Sequence, residues 1–165
     1  MHICQRRHFL KMSIAIPLWL KSNQTAQASG YTKALVLSCI DFRFVNLEQN
    51  FLREKGLDNQ YDWLTLAGAS LALSSFPSQA ETQTFWEQLE LSYRLHHIKK
   101  VIILDHQDCG AYASKIDPKL SQDLEREKQV HWQYLNQASS SIKNRYPQLD
   151  VESYFVQLDG KVQFY

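Results

Sequence analysis

The run Val101-Ile102-Ile103-Leu104-Asp105 constrains this chain more than any other stretch. Four consecutive hydrophobes in a run of five read as a buried central strand of a parallel sheet. The strand runs straight into His106-Gln107-Asp108-Cys109-Gly110-Ala111, which puts an imidazole and a thiol on the loop leaving its carboxyl end. In open α/β sheets, ligands collect at that end. An earlier apolar run, Ala34-Leu35-Val36-Leu37-Ser38, ends in the same fashion, in Cys39-Ile40-Asp41-Phe42-Arg43. If the two strands are parallel neighbours, Cys39, His106 and Cys109 converge at one edge of the sheet. Two thiolates and one imidazole suit zinc, and three protein ligands leave a fourth position for water or substrate.

The remaining pattern alternates strands and helices, with no internal repeat. Asn46 to Lys55 reads as a short helix capped by Asn46 and ended by Gly56. Tyr61 to Leu66 reads as a strand, followed by a tight turn at Ala67-Gly68-Ala69. Glu81 to Ile98 is predicted as one long helix with Phe85, Leu89 and His96 on one side, preceded by Pro77-Ser78. The strand from Val101 follows at once, which makes a β-α-β crossover between parallel strands. Ser121 to Tyr146 is a further helix, stopped by Pro147; Val151 to Leu158, Asp159-Gly160 and Lys161 to Tyr165 read as a closing hairpin. The expected fold class is α/β, with a mainly parallel four-stranded sheet flanked by helices and an additional edge strand.

At 165 residues the chain is one domain by length, and 44% apolar residues suffice for a single core. A formal charge of +1 without a basic stripe argues against a nucleic-acid partner. Residues 1–28 are set apart as a twin-arginine export signal: Arg6-Arg7, the apolar run Met12 to Leu20, then Ala26-Gln27-Ala28 before Ser29. The apolar run is too short for a stable membrane span, which needs about 20 residues. An amphipathic helix of the folded domain is the alternative; Pro17 and the lack of acidic residues before Ser29 speak against it. The expectation is therefore a domain of residues 29–165 in the bacterial periplasm, exported already folded.

Of three cysteines, Cys4 leaves with the signal, and the other two are those at the strand ends. A Cys39–Cys109 disulfide or a pair of core thiols would account for the cysteines. Neither accounts for His106, Asp41 or Arg43. Cys39 followed by Arg43 also suggests thiol chemistry on an anion, but Ile40-Asp41-Phe42 is too short for a backbone cradle and places a negative charge inside it.

Together, Cys39-x-Asp41-x-Arg43 and His106-x-x-Cys109-Gly110 resemble the two zinc motifs of the β-class carbonic anhydrases, in the same order and each at a strand end. The resemblance covers most of Lys33 to Ala113, and the Asp159-Gly160-Lys161-Val162 hairpin is similar to the end of that family. It implies one zinc ion per chain on Cys39, His106 and Cys109. It also implies a catalytic dyad of Asp41 and Arg43, and reversible hydration of carbon dioxide to bicarbonate by a zinc-bound hydroxide. The Asp41 carboxylate, aimed by Arg43, would accept a hydrogen bond from that hydroxide, or swing onto zinc and close the site. The resemblance further implies a homodimer or higher oligomer; Trp63, Trp86 and Trp132 are expected to supply the apolar surface for it.

Departures from the family pattern place the chain among its short, divergent members. Leu64-Thr65-Leu66-Ala67-Gly68 stands where many members carry an Arg-Asn pair, and Phe44-Val45-Asn46-Leu47 replaces a Pro-rich continuation. The long N-terminal helices that clasp a partner are replaced by the signal. A drier pocket would also suit hydrolysis of carbonyl sulfide or carbon disulfide, and a non-catalytic zinc-binding relative is the further alternative. Asp41 and Arg43 read alternatively as a surface ion pair, Asp108 as a cap of the following helix, and His96, His97 and His131 as packing or surface residues.

Overall fold

The computed structural model describes residues 30–165, so the proposed signal and Cys4 lie outside the described residues. Five strands form one sheet: β1 (Ala34–Ser38), β2 (Tyr61–Thr65), β3 (Lys100–His106), β4 (Asp150–Val156) and β5 (Val162–Phe164). Their spatial order is β2-β1-β3-β4-β5, parallel throughout except for the antiparallel β5. This is the α/β sheet the sequence predicts, edge strand included.

Helix α1 (Val45–Glu54) packs on one face of the sheet, where Leu52 and Leu57 meet Ala34, Val36, Ile102 and Leu104. On the other face, α2 (Gln79–Leu91) and α4 (Leu124–Arg145) cover Leu35, Leu37, Val101 and Ile103 with Phe85, Leu89, Leu135 and Ile142. Alternate residues of β1 and β3 thus feed two cores, which is why both strands read as uninterrupted hydrophobic runs. A short α3 (Gly110–Lys115) follows β3, and 3₁₀ turns occupy Ala69–Ser74 and Leu120–Gln122. Among the described residues, no helix is long and apolar enough to cross a membrane.

Several boundaries differ from the sequence reading, each for a local reason. Helix α1 starts one residue earlier, at Val45; Phe44 stands at its cap position with no side-chain bond, and Asn46 lies exposed in the first turn. Helix α2 starts at Gln79 because Ser78 and Glu81 form a reciprocal capping box. Its regular part ends at Leu91, and a π turn, Ser92–His96, carries the chain to His97 with φ 56°. Asp123, whose carboxylate accepts from the Arg126 N–H, sets the start of α4 later than Ser121. Strand β3 extends through His106, so that residue belongs to the sheet rather than to the loop.

Candidate metal centre

In register, Ser38 of β1 faces Thr65 of β2 on one side and Leu104 of β3 on the other. Cys39 therefore leaves its strand beside the last turn of β3, where His106 ends the strand and Cys109 returns after a two-residue excursion. Cys39 and Cys109 are buried and free, with sulfurs 4.0 Å apart. A disulfide would need about 2.05 Å, whereas two thiolates on one tetrahedral zinc, with Zn–S of about 2.3 Å, sit about 3.8 Å apart. The donor atoms of Cys39, His106 and Cys109 all lie within 4.8 Å of one another.

The imidazole is prepared for the same task. Its Nδ1 lies 2.8 Å from the Gln107 carbonyl, which can only accept, so the proton sits on Nδ1 and the lone pair on Nε2. Among the described residues Nε2 is buried with no hydrogen-bond partner, and the Phe44 ring, 4.2 Å from the imidazole centre to centre, packs against it. A buried imidazole nitrogen left unpaired beside two thiols is an arrangement that a metal ion would satisfy. The Gly68 N–H donates to Cys39 Sγ at 3.3 Å. Gly68 has φ 79°, and a Cβ there would meet Ala111 and Leu71 at 3.0 Å, so the Ala67-Gly68-Ala69 turn admits only glycine.

The two sulfurs are close enough for one thiol to donate to the other. The hydrogen bond from Cys109 holds Cys39 well below the ordinary thiol range against the opposing effect of burial, and the same bond together with burial pushes Cys109 up. Two buried sulfurs this close, one of them held low, suit a soft cation.

Asp41 and Arg43 lie at the rim. Asp41 Oδ1 accepts from the Arg43 backbone N–H and from Nε, both at 3.0 Å, and Oδ2 accepts from Nη2 at 2.7 Å. Those hydrogen bonds hold the Asp41 carboxyl at about 2. The sequence reading of Asp108 as a helix cap is not what the structure shows: α3 has Cys109 at its cap position and no side-chain cap bond. Asp108, at φ 55°, turns instead to Arg43, accepting from Nη1 at 2.7 Å through Oδ2 and from Nη2 at 2.9 Å through its carbonyl.

Three buried acids near the site were given no role by the sequence reading. Asp105, fully enclosed, accepts from the Ser70 N–H at 3.0 Å, Ser70 Oγ at 2.6 Å, Tyr112 Oη at 2.9 Å and His131 Nδ1 at 2.8 Å. This knot makes His131 a fully buried polar partner rather than a plain packing residue, whereas His96 pairs near the surface with Asp62 at 2.7 Å. Glu127 of α4 accepts from the Asp108 N–H at 2.7 Å. Glu48 of α1 lies buried with Oε1 unpaired. A carboxylate inside an apolar strand was the one signal available, at Asp105, because such a group must find donors.

A cavity of about 610 Å³ opens onto Cys39, Asp41 and Arg43, and is otherwise walled by Ile40, Phe42, Ala67, Phe76, Pro77, Gly110 and Ala111. A larger groove of about 770 Å³, between Trp86 and Arg145, lies away from the sulfur donors.

A Cys₂His donor group with a carboxylate–guanidinium pair, at the carboxyl ends of a parallel sheet, defines an α/β protein able to hold a metal ion. The family model described as "Putative carbonic anhydrase" matches residues 29–165, and the chain belongs to that family. It is 36% identical over 142 residues to an uncharacterized protein of Rickettsia bellii, covering 86% of this chain and 87% of that one. In fold it is similar to a carbonic anhydrase from Glaciozyma antarctica, with TM-score 0.56, 15% identity, and 87% and 88% of the two chains covered. It is also similar to a structure from a study of two tetrameric β-carbonic anhydrases of Sordaria macrospora, with TM-score 0.54, 12% identity, and 82% and 81% covered.

Proposed function

We propose that the chain is a zinc-dependent carbonic anhydrase, interconverting carbon dioxide and bicarbonate. The observation that carries this reading is the convergence of two buried thiols on a partnerless His106 Nε2, with an ionised carboxylate fixed at the rim. Cys39, His106 and Cys109 would hold the ion, which when bound supplies Lewis-acid activation of a water molecule. Asp41 stays ionised through the whole neutral range, so it accepts a hydrogen bond and orients the donor that makes it. Arg43 keeps that carboxylate aimed and charged. Ile40, Phe42, Phe76 and Ala111 give an apolar wall against which a small linear molecule can lie. The same wall, with Leu64-Thr65-Leu66 where polar groups would stand in many relatives, favours a second reading in which carbonyl sulfide or carbon disulfide is the substrate.

Metal content and hydration rate measured on one sample test the proposal. Stoichiometric zinc and a rate well above background are expected, with Cys109→Ser losing both. Zinc without hydration would move the reading to the sulfur-containing substrates or to a non-catalytic zinc protein; no zinc at all would overturn it.

Export and assembly belong to the same proposal. Arg6-Arg7 and Ala26-x-Ala28 support a twin-arginine signal and a periplasmic location, and the family match begins where that signal would end. Ile40 and Phe42, at the rim of the cavity, are 65% and 84% exposed, which supports a homodimer or larger assembly. Trp63 and Trp86 pack against the cores and stay half-buried, and Trp132 is exposed.

A further inference from the structure

We propose that Asp108 is a positioning residue of this site: held by Glu127, it fixes Arg43 and through it the direction of Asp41. This rests on the reading that Asp41 acts on the substrate side. Asp41 and Arg43 are two residues apart on one exposed turn, and such a pair can tilt as a unit without breaking its own bonds. Orientation relative to the donor group requires an anchor from elsewhere in the fold, and Asp108 is that anchor. It lies 65 residues away in sequence, between His106 and Cys109, and engages the guanidinium through both Oδ2 and its carbonyl oxygen. The dyad is thereby referenced to the segment that carries two of the three donors.

The anchor is itself secured. A left-handed backbone, φ 55° at Asp108, turns its carbonyl and its carboxylate toward the same arginine. Its N–H donates at 2.7 Å to Oε1 of Glu127, a side chain only 1% exposed on the inner face of α4. A long, buried helix thus fixes the Asp108 backbone, Asp108 fixes Arg43, and Arg43 fixes Asp41. Arg43 and Asp108 side chains remain 36% and 45% exposed, so their ion pair adds little to stability. Loss of alignment without loss of fold is therefore the expected signature of removing it.

The test uses the full chain with zinc added, comparing Asp108→Ala and Asp108→Asn with the parent. Zinc stoichiometry is expected to stay unchanged in both. The Arg43 Nε–H group, which bonds Asp41 and not Asp108, is followed by ¹⁵N NMR, with Arg43→Lys to assign its signal. Its exchange with solvent is expected to quicken at least tenfold in Asp108→Ala and less in Asp108→Asn, which keeps an acceptor. The hydration kcat is expected to fall at least tenfold in Asp108→Ala with KM nearly constant, and to recover in part in Asp108→Asn.

An Arg43 signal that exchanges at the parent rate would overturn the proposal, whatever kcat does, and so would faster exchange with kcat within twofold of the parent. If the parent itself shows no hydration, the hydration reading fails separately and the exchange rate alone decides whether Asp108 positions Arg43. Should Asp108→Ala fail to fold, the isosteric Asp108→Asn carries the same comparison.

Discussion

Glu48 shows how far a single side chain can be moved from its ordinary behaviour by where the fold puts it. Burial drives its carboxyl up to about 8, against a hydrogen bond from Ser38. The unfolded chain would release that proton near 4.5. Between those values the folded state binds more protons than the unfolded one, so stability falls as pH rises. Relative to Glu48→Gln, the metal-free parent should lose up to about 1.4 kcal/mol per pH unit across that window and be flat below it, read from urea unfolding at several pH values. A difference that does not change with pH would show that Glu48 titrates normally. Cys39, His106, Cys109, Asp41 and Arg43 were legible in sequence because each sits in a short motif at a strand end. Glu48 and Glu127 were not, and Asp108 read only as a helix cap, since an acid on a helix or in a turn gives no sign of its partners until the tertiary structure supplies them.

Helices and strands were legible to the extent that local chemistry decides them. Hydrophobic runs located β1 and β3, and the Asp-Gly hairpin located β4 and β5. Caps were less readable, because several polar residues near a helix start compete and only packing selects one. Asn46 has the right side chain but lies exposed within the first turn of α1, past the cap position, while Ser78 makes the full capping box of α2. Ser78→Ala should therefore cost about 1 kcal/mol, and Asn46→Ala should stay within about 0.5 kcal/mol of the parent. Urea midpoints of the two variants check this, and equal effects would contradict the cap assignment. The π turn at Ser92–His96 had no signal at all: the helical periodicity runs through it, and its geometry comes from Ser92 Oγ and His96 both reaching Asp62 of β2.

At the scale of the whole molecule, the rim of the cavity combines an ionised pair with bare apolar side chains, a mixture that a lone chain leaves uncovered. If Ile40 and Phe42 meet a second copy, Phe42→Asp should reduce the mass in solution from at least two chains to one, measured by sedimentation equilibrium; a parent already monomeric would remove the assembly from the proposal. The layout of the sheet has a consequence of a different sort. Strands β1 and β3 lie side by side with a hydrogen-bonded neighbour on each outer edge, and their side chains are enclosed on both faces. Segments of that kind open only when the entire domain opens. Cys39 and His106 are therefore carried by the two innermost strands of the sheet, unlike the ligands of small zinc modules, which the ion itself must gather. On the proposed reading, folding would precede loading, and the exchange of an ion would become a question of passage through the cavity mouth, with a rate set by access rather than by the stability of the protein.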